Sequence, residues 1–319
     1  MTDPIKTIRL RNESVEITLL SMGCSVQEWR VHGRSVVLGY ANPEAYRENP
    51  ACMGAICGRV INRIGGARFD LDGQTWRLPA NLPPHHLHGG PRGAAWRNWT
   101  VVSHDATQAV LSLHSPHLDQ GYPGDVDTSV TLRLDGYRLT YDIAAQVDRK
   151  TILNYGQHLY FNLSGAGPVR SHTLLVDADD CTPTDDLGLP TGERMAVDGS
   201  RFDFREPTPL CTQDPDAVGY DLNYALNRGS GPAAVLTHND LDLRLWTDRP
   251  GLQIYTANGL EQTHQPLPGQ SHQPYSGICL EAQDFPNAPN RPDFGSVLYT
   301  PDHPYRQRTT IEIAPRVTP

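Results

Sequence analysis

The stretch VTLRLDGYRLTYDI, residues 130–143, decides the fold class. Val130, Leu132 and Leu134 alternate with polar residues up to Asp135-Gly136, and Tyr137, Leu139, Tyr141 and Ile143 alternate after it. Apolar residues at every second position bury one face of a strand, and Asp-Gly supplies the positive φ angles that a two-residue hairpin turn demands. ARFDLDGQTWRL repeats the pattern, with Phe69 and Leu71 before Asp72-Gly73 and Trp76 and Leu78 after it. VEITLL, AVLSLHS, LDLRLW and LQIYTAN carry the same period, whereas helical periodicity is confined to PEAYRENP near residue 45. An antiparallel, all-β protein with very little helix is expected. The 28 glycines and 27 prolines fall between the strand-like runs and never pool into a linker, which predicts one continuous domain over residues 1–319.

A hydrophobic share of 38% against 20% charged residues is enough to build a sizeable core. The formal net charge of -9 and the absence of a basic run argue against a nucleic-acid partner, whose phosphates call for clustered Lys and Arg. Six cysteines (Cys24, Cys52, Cys57, Cys181, Cys211 and Cys279) form no CxxC pair, so reduced, mostly buried thiols are expected. With no apolar leader and no stretch long enough to span a membrane, a soluble cytoplasmic protein is the expectation, monomer or homodimer.

Two irregular segments, NLPPHHLHGGPRG and DFPNAPNRPDFG, read as loops of the kind that carry sites on a β scaffold. In the first, His86 and His88 would share one face of an extended strand, but no Cys ligand set, HExxH or nearby carboxylate at ligand spacing accompanies them, so no metal is expected. His85 reads as incidental on a surface turn. His88 precedes Gly89-Gly90, which lets a ligand approach its ring. In LNYGQHLYFNL, His158 beside Tyr160 and Phe161 is either a satisfied core histidine or a general acid. Glu281 follows the apolar run Ile278, Cys279 and Leu280; it is either a strand-end side chain reaching water or a desolvated acid/base with a raised pKa. Arg63 and Asp221 read equally as a structural ion pair or as clamps on sugar hydroxyls.

Taken in order, these segments resemble the aldose 1-epimerase (galactose mutarotase) family. GRVINRI is similar to the family's G-R-x-x-N-R-I, HLHGG to its L-H-G-G, and LNYGQHLYFNL to N-L-T-N-H-x-Y-F-N-L, with Asn154 and His158 at the family's spacing. GYDLNY, LQIYTAN and LEAQDFPNAPN are similar to G-Y-D-H-N-F, L-Q-V-Y-T-G-N and L-E-x-Q-x-x-P-D-A-x-N. The resemblance implies a large antiparallel β-supersandwich that interconverts the α and β anomers of a free aldose, with no metal and no organic cofactor. It implies Glu281 as base, His158 as acid, and Arg63, His88 and Asp221 as substrate contacts. Leu222, Gly156, Gln157 and Asn287 depart from the family's pattern, and Leu222 and Gln157 are expected to bear on which sugar fits. A non-catalytic carbohydrate-binding protein on the same fold and a sugar-phosphate epimerase, with Arg63, Arg59 and Arg68 as phosphate contacts, are the alternatives.

Overall fold

The computed structural model describes residues 3–316. Its main element is a nine-stranded sheet, antiparallel in every pairing, built around the pair Val126–Asp135 and Arg138–Val147 and the long C-terminal strand Tyr305–Pro315. The alternation in the sequence is realised as burial: Val130, Leu132, Leu134, Leu139, Tyr141 and Ile143 all face the core. The turn differs by one residue from the expected one. Asp135 pairs with Arg138, so Gly136-Tyr137 are the central residues and Gly136 alone takes a positive φ, 56°. At the second hairpin both central residues, Asp72 and Gly73, have positive φ as expected (50° and 78°). PEAYRENP forms a 3-10 helix over Pro43–Glu48, and the one α-helix among the described residues is Leu210–Gln213.

A six-stranded sheet positions the site. Three of its strands lie side by side: β1 (Asp221–Ala225), β2 (Gly251–Tyr255) and β3 (Ile278–Gln283). Because side chains alternate across a sheet, Leu222, Leu252, Ile254 and Leu280 point to one side, where they join a single apolar cluster with Val130 and Ile311 of the nine-stranded sheet. Ile8, Ile17 and Trp29 of a four-stranded N-terminal sheet enter the same cluster. The other face of β1, β2 and β3 is polar. Register sets Asn223 opposite Gln253 and Gln253 opposite Glu281, while Asp221 faces Tyr255, and Tyr255 faces Cys279.

Loops close over that polar face by backbone contact. Gly89 has a φ of 84°, and a Cβ there would stand 1.8 Å from the Gly58 carbonyl oxygen, so only glycine lets these two loops cross. Asn287 has a φ of 62°, a left-handed conformation that Asn and Asp both tolerate, and its Oδ1 accepts from the Gly65 N–H at 2.9 Å. The departure at Asn287 therefore preserves the loop geometry. Asn154 donates to the Asp284 carbonyl (3.0 Å) and accepts from the Asp284 N–H (2.9 Å), tying the segment that leads to His158 to the end of β3.

The histidine-rich segment departs from its sequence reading. His88 has a φ of 51°, so His86 and His88 do not share a strand face. His85 is buried, not on a surface turn, and its Nδ1 accepts from the Gly66 N–H at 3.2 Å. His86 turns inward, its Nδ1 2.7 Å from the Pro79 carbonyl and its Nε2 2.8 Å from the Tyr122 hydroxyl. Since the carbonyl can only accept, Nδ1 carries the proton and Nε2 accepts from Tyr122.

Two outcomes follow from these contacts. Burial lowers His86 from 6.5 to about 4 and His172, whose Nε2 accepts from the Leu163 N–H, to about 3. The unfolded chain therefore takes up protons first, and stability falls as the pH drops from 6.5 toward 4, by about 2 kcal/mol per histidine at pH 5 relative to pH 7. Urea unfolding at the two pH values measures this, and equal stability at both would refute it. Gly89→Ala forces the loops apart and is expected to destabilise at or beyond the upper end of the usual range of about 0.5–3 kcal/mol, read as a drop in thermal midpoint.

Candidate active site

The polar face of the six-stranded sheet forms the floor of a cleft of about 350 Å³, within the range of small-molecule sites. Arg63, His88, His158, Asp221 and Glu281, which lie far apart in the sequence, all line it.

Glu281 stands in the fourth position of β3 and is 2% exposed. It is not a strand-end side chain reaching water. Desolvation pushes its carboxyl well above the ordinary value, the neighbouring charge of Asp221 adds to this, and Arg63 opposes it. Its Oε1 lies 3.5 Å from Nε2 of His158, and its Oε2 is buried without a protein partner.

His158 is held by its own backbone, whose N–H donates to Ala55 and whose carbonyl accepts from Gly54, both at 2.9 Å. Burial lowers its imidazole to about 4, against the pull of its own backbone carbonyl and of Asp221. The other ring nitrogen, Nδ1, lies 3.6 Å from Sγ of Cys279, and Tyr160 packs beside the ring with centroids 5.2 Å apart.

His88 meets His158 edge-on at 5.2 Å between centroids. Its Nδ1 accepts from the Asn62 N–H at 3.2 Å, and burial together with the neighbouring His158 and Arg63 lowers its pKa well below 6.5. A neutral ring with Nδ1 engaged as acceptor carries its proton on Nε2, so His88 offers a hydrogen-bond donor. Arg63 reaches Oδ2 of Asp221 at 3.3 Å, and Gln253 donates to the other oxygen at 2.6 Å. The loop around Gly188 leans on this guanidinium: a Cβ at Gly188 would lie 2.8 Å from Cζ of Arg63.

Two expectations about specificity change. Leu222 is 4% exposed, and the pleat turns it away from Asp221 into the apolar core, so it lines no part of the cleft. Gln157 is spent on structure, donating to the Leu280 carbonyl (2.7 Å) and accepting from the Leu159 N–H (2.8 Å). The cleft is lined instead by residues that were not singled out in the sequence, among them Asn62, Tyr255, Glu261 and Thr263. Gln253, which orients Asp221, was also missed. LQIYTAN gives its alternation, but its place beside Glu281 is visible only once the strands are paired.

Comparison with known proteins identifies the family. The family described as aldose 1-epimerase matches residues 6–312. The chain is 35% identical to the galactose mutarotase of Rattus norvegicus over 97% of its length and 94% of the relative's. It is 33% identical to the aldose 1-epimerase of Escherichia coli K12, over 91% of this chain and 89% of that one. Among solved structures, the GalM/aldose epimerase homologue from C. elegans superposes with a TM-score of 0.94 at 26% identity, covering 98% of this chain and 100% of that one. The chain belongs to the aldose 1-epimerase family.

Proposed function

We propose that the cleft interconverts the α and β anomers of a free aldose of the galactose or glucose type by proton transfer between Glu281 and His158. The carrying observation is the buried carboxylate–imidazole pair, 3.5 Å apart on the cleft floor. Ring opening needs a proton off the C1 hydroxyl and a proton onto the ring oxygen. Glu281 takes the first and Nε2 of His158 supplies the second; rotation about C1–C2 presents the other carbonyl face, and the two transfers run in reverse. Arg63, His88 and Asp221 hold the remaining oxygens so that C1 alone turns.

The electrostatics support an energetic role for the pair. With Glu281 raised and His158 lowered, the pH window in which the two groups together hold one proton lies above about 4, and burial favours the arrangement in which both are uncharged. That is their state when the sugar is open. Closed sugar faces the charge-separated arrangement, which Arg63 favours at the carboxylate and Asp221 at the imidazole. Ring opening thus discharges two buried ions, an interaction that grows toward the transition state.

The charge lining the cleft supports a free sugar over a phosphorylated one. Arg63 is the one arginine lining it among the described residues, alongside Asp221, Glu261 and Glu281. Arg59 is buried elsewhere, donating to Ser115, Pro116 and Pro123, and Arg68 is exposed outside the cleft. A phosphate would need several converging donors.

Glu281→Gln and His158→Asn are each expected to lower kcat by about a hundredfold to ten-thousandfold with the fold retained, followed by polarimetry on freshly dissolved α-D-galactose and α-D-glucose. Wild-type rates in either variant would refute the assignment. The pair also sets the pH profile. A second proton enters only as the pH falls toward the lowered His158 value of about 4, and the single proton leaves only above the raised Glu281 value. The kcat/KM should therefore have its acid limb near 4 and stay level above it until Glu281 gives up its proton. An acid limb at 6.5, where an exposed histidine titrates, would contradict the buried pair.

A further inference from the structure

Cys279 lies two residues before Glu281 on β3, so both side chains leave the same face of the sheet, and both are buried. The imidazole of His158 stands between them, with Nδ1 3.6 Å from Sγ and Nε2 3.5 Å from Oε1 of Glu281. With one ring nitrogen, the sulfur and one carboxylate oxygen taken together, all three donor atoms lie within 4.8 Å of one another. Imidazole, thiolate and carboxylate are the donor types of zinc, whose tetrahedral bonds of about 2.0–2.3 Å set donors roughly 3.3–3.6 Å apart. An ion takes one of the two ring nitrogens, so one of the two short separations belongs to its donor set, and the others, within 4.8 Å, contract on binding.

Two further observations point to a cation. Oε2 of Glu281, in a residue 2% exposed, has no protein partner. The charge also closes: a thiolate and a carboxylate balance a dication, so the loaded site is neutral in a setting that penalises isolated charge. The fourth coordination position would open toward the cleft, where the sugar's C1 and ring oxygen meet the pair.

We propose that His158, Cys279 and Glu281 form an inhibitory site for a soft divalent cation of the zinc class, which excludes the sugar by occupying the acid/base pair. The inhibition rests on the catalytic reading of that pair; the binding does not. Nitrogen and sulfur donors select zinc, cadmium or cobalt over magnesium and calcium, which prefer all-oxygen shells.

The test uses the full chain, stripped with EDTA, in a Cys211→Ser background because Cys211 is an exposed thiol. Cobalt(II) is titrated while the near-ultraviolet thiolate-to-cobalt absorption is followed, and zinc chloride is added to polarimetric assays with galactose. The expected result is one equivalent of cobalt with a thiolate band that zinc displaces. Zinc should raise the apparent KM, EDTA should reverse this, and magnesium should do nothing. Cys279→Ala, and the near-isosteric Cys279→Ser should the first fold poorly, are expected to lose the band. They should also weaken zinc by more than the about 10- to 100-fold that loss of an outer-shell partner costs. Cys52→Ser, which alters a cleft thiol outside the donor set, should keep the band. Absence of the band in the parent protein, or its persistence in a folded Cys279 variant, overturns the site. Binding without inhibition upholds the site and removes Glu281 and His158 from the catalytic role instead.

Discussion

The cost of burying one carboxylate organises this molecule. Glu281 sits in the middle of a strand whose six residues are all buried, where a fixed negative charge is expensive. Among the described residues no lysine or arginine pairs with it directly; its ion-pair partner is His158, itself lowered by burial. The solution is a pair that carries one proton and no net charge in its resting arrangement. A permanent ion pair with arginine would hold the carboxylate ionised and unable to keep a proton, so the economy of the fold and the requirement for reversible proton transfer point the same way.

Such a pair needs a rigid frame on one side and an opening on the other. Alternation in β1, β2 and β3 provides both, since Leu222, Leu252, Ile254 and Leu280 anchor the sheet in the shared core while Asp221 and Glu281, on the opposite face, line the cleft. The remaining walls come from loops that approach by backbone contact, through Gly89 against Gly58 and the loop around Gly188 against Arg63. Two asparagines, Asn154 and Asn287, tie those loops to the strands. Asn62 adds a tie of its own: its N–H engages Nδ1 of His88, and its Oδ1 accepts from the Arg63 N–H at 2.8 Å.

Much of this was legible in the sequence, for a physical reason. Period-two alternation reports burial on one face directly, so the strands, both hairpins and the shortage of helix could be read from Val130–Ile143 and Phe69–Leu78. The six motifs in series carried the family and named residues that the fold brings into one cleft. What failed depended on strand pairing, on side-chain hydrogen bonds or on the positive φ at His88. Leu222 was adjacent to Asp221 in sequence but opposite to it across the pleat, and Gln157 was committed to backbone groups invisible to a linear reading. The His85–His88 run looked like one face because an extended chain was assumed, and the φ of 51° at His88 breaks it. Gln253 and Cys279 were overlooked because their importance comes from the register beside Glu281 and the proximity to His158.

The alternation along β3 also bears on how such a protein can change over generations. In Ile278–Gln283 every second residue, Ile278, Leu280 and Ala282, belongs to the shared hydrophobic core, while Glu281 on the opposite face lines the cleft. Loss or gain of one codon would exchange the two sets, moving Leu280 or Ala282 into the sugar's place and a carboxylate into oil. Heredity can therefore tinker with this strand only by substitution, and at few positions. The loops at the rim, including the one that rests on Arg63, carry no such reading frame. An insertion in that rim would leave the alternation of the strands beneath undisturbed.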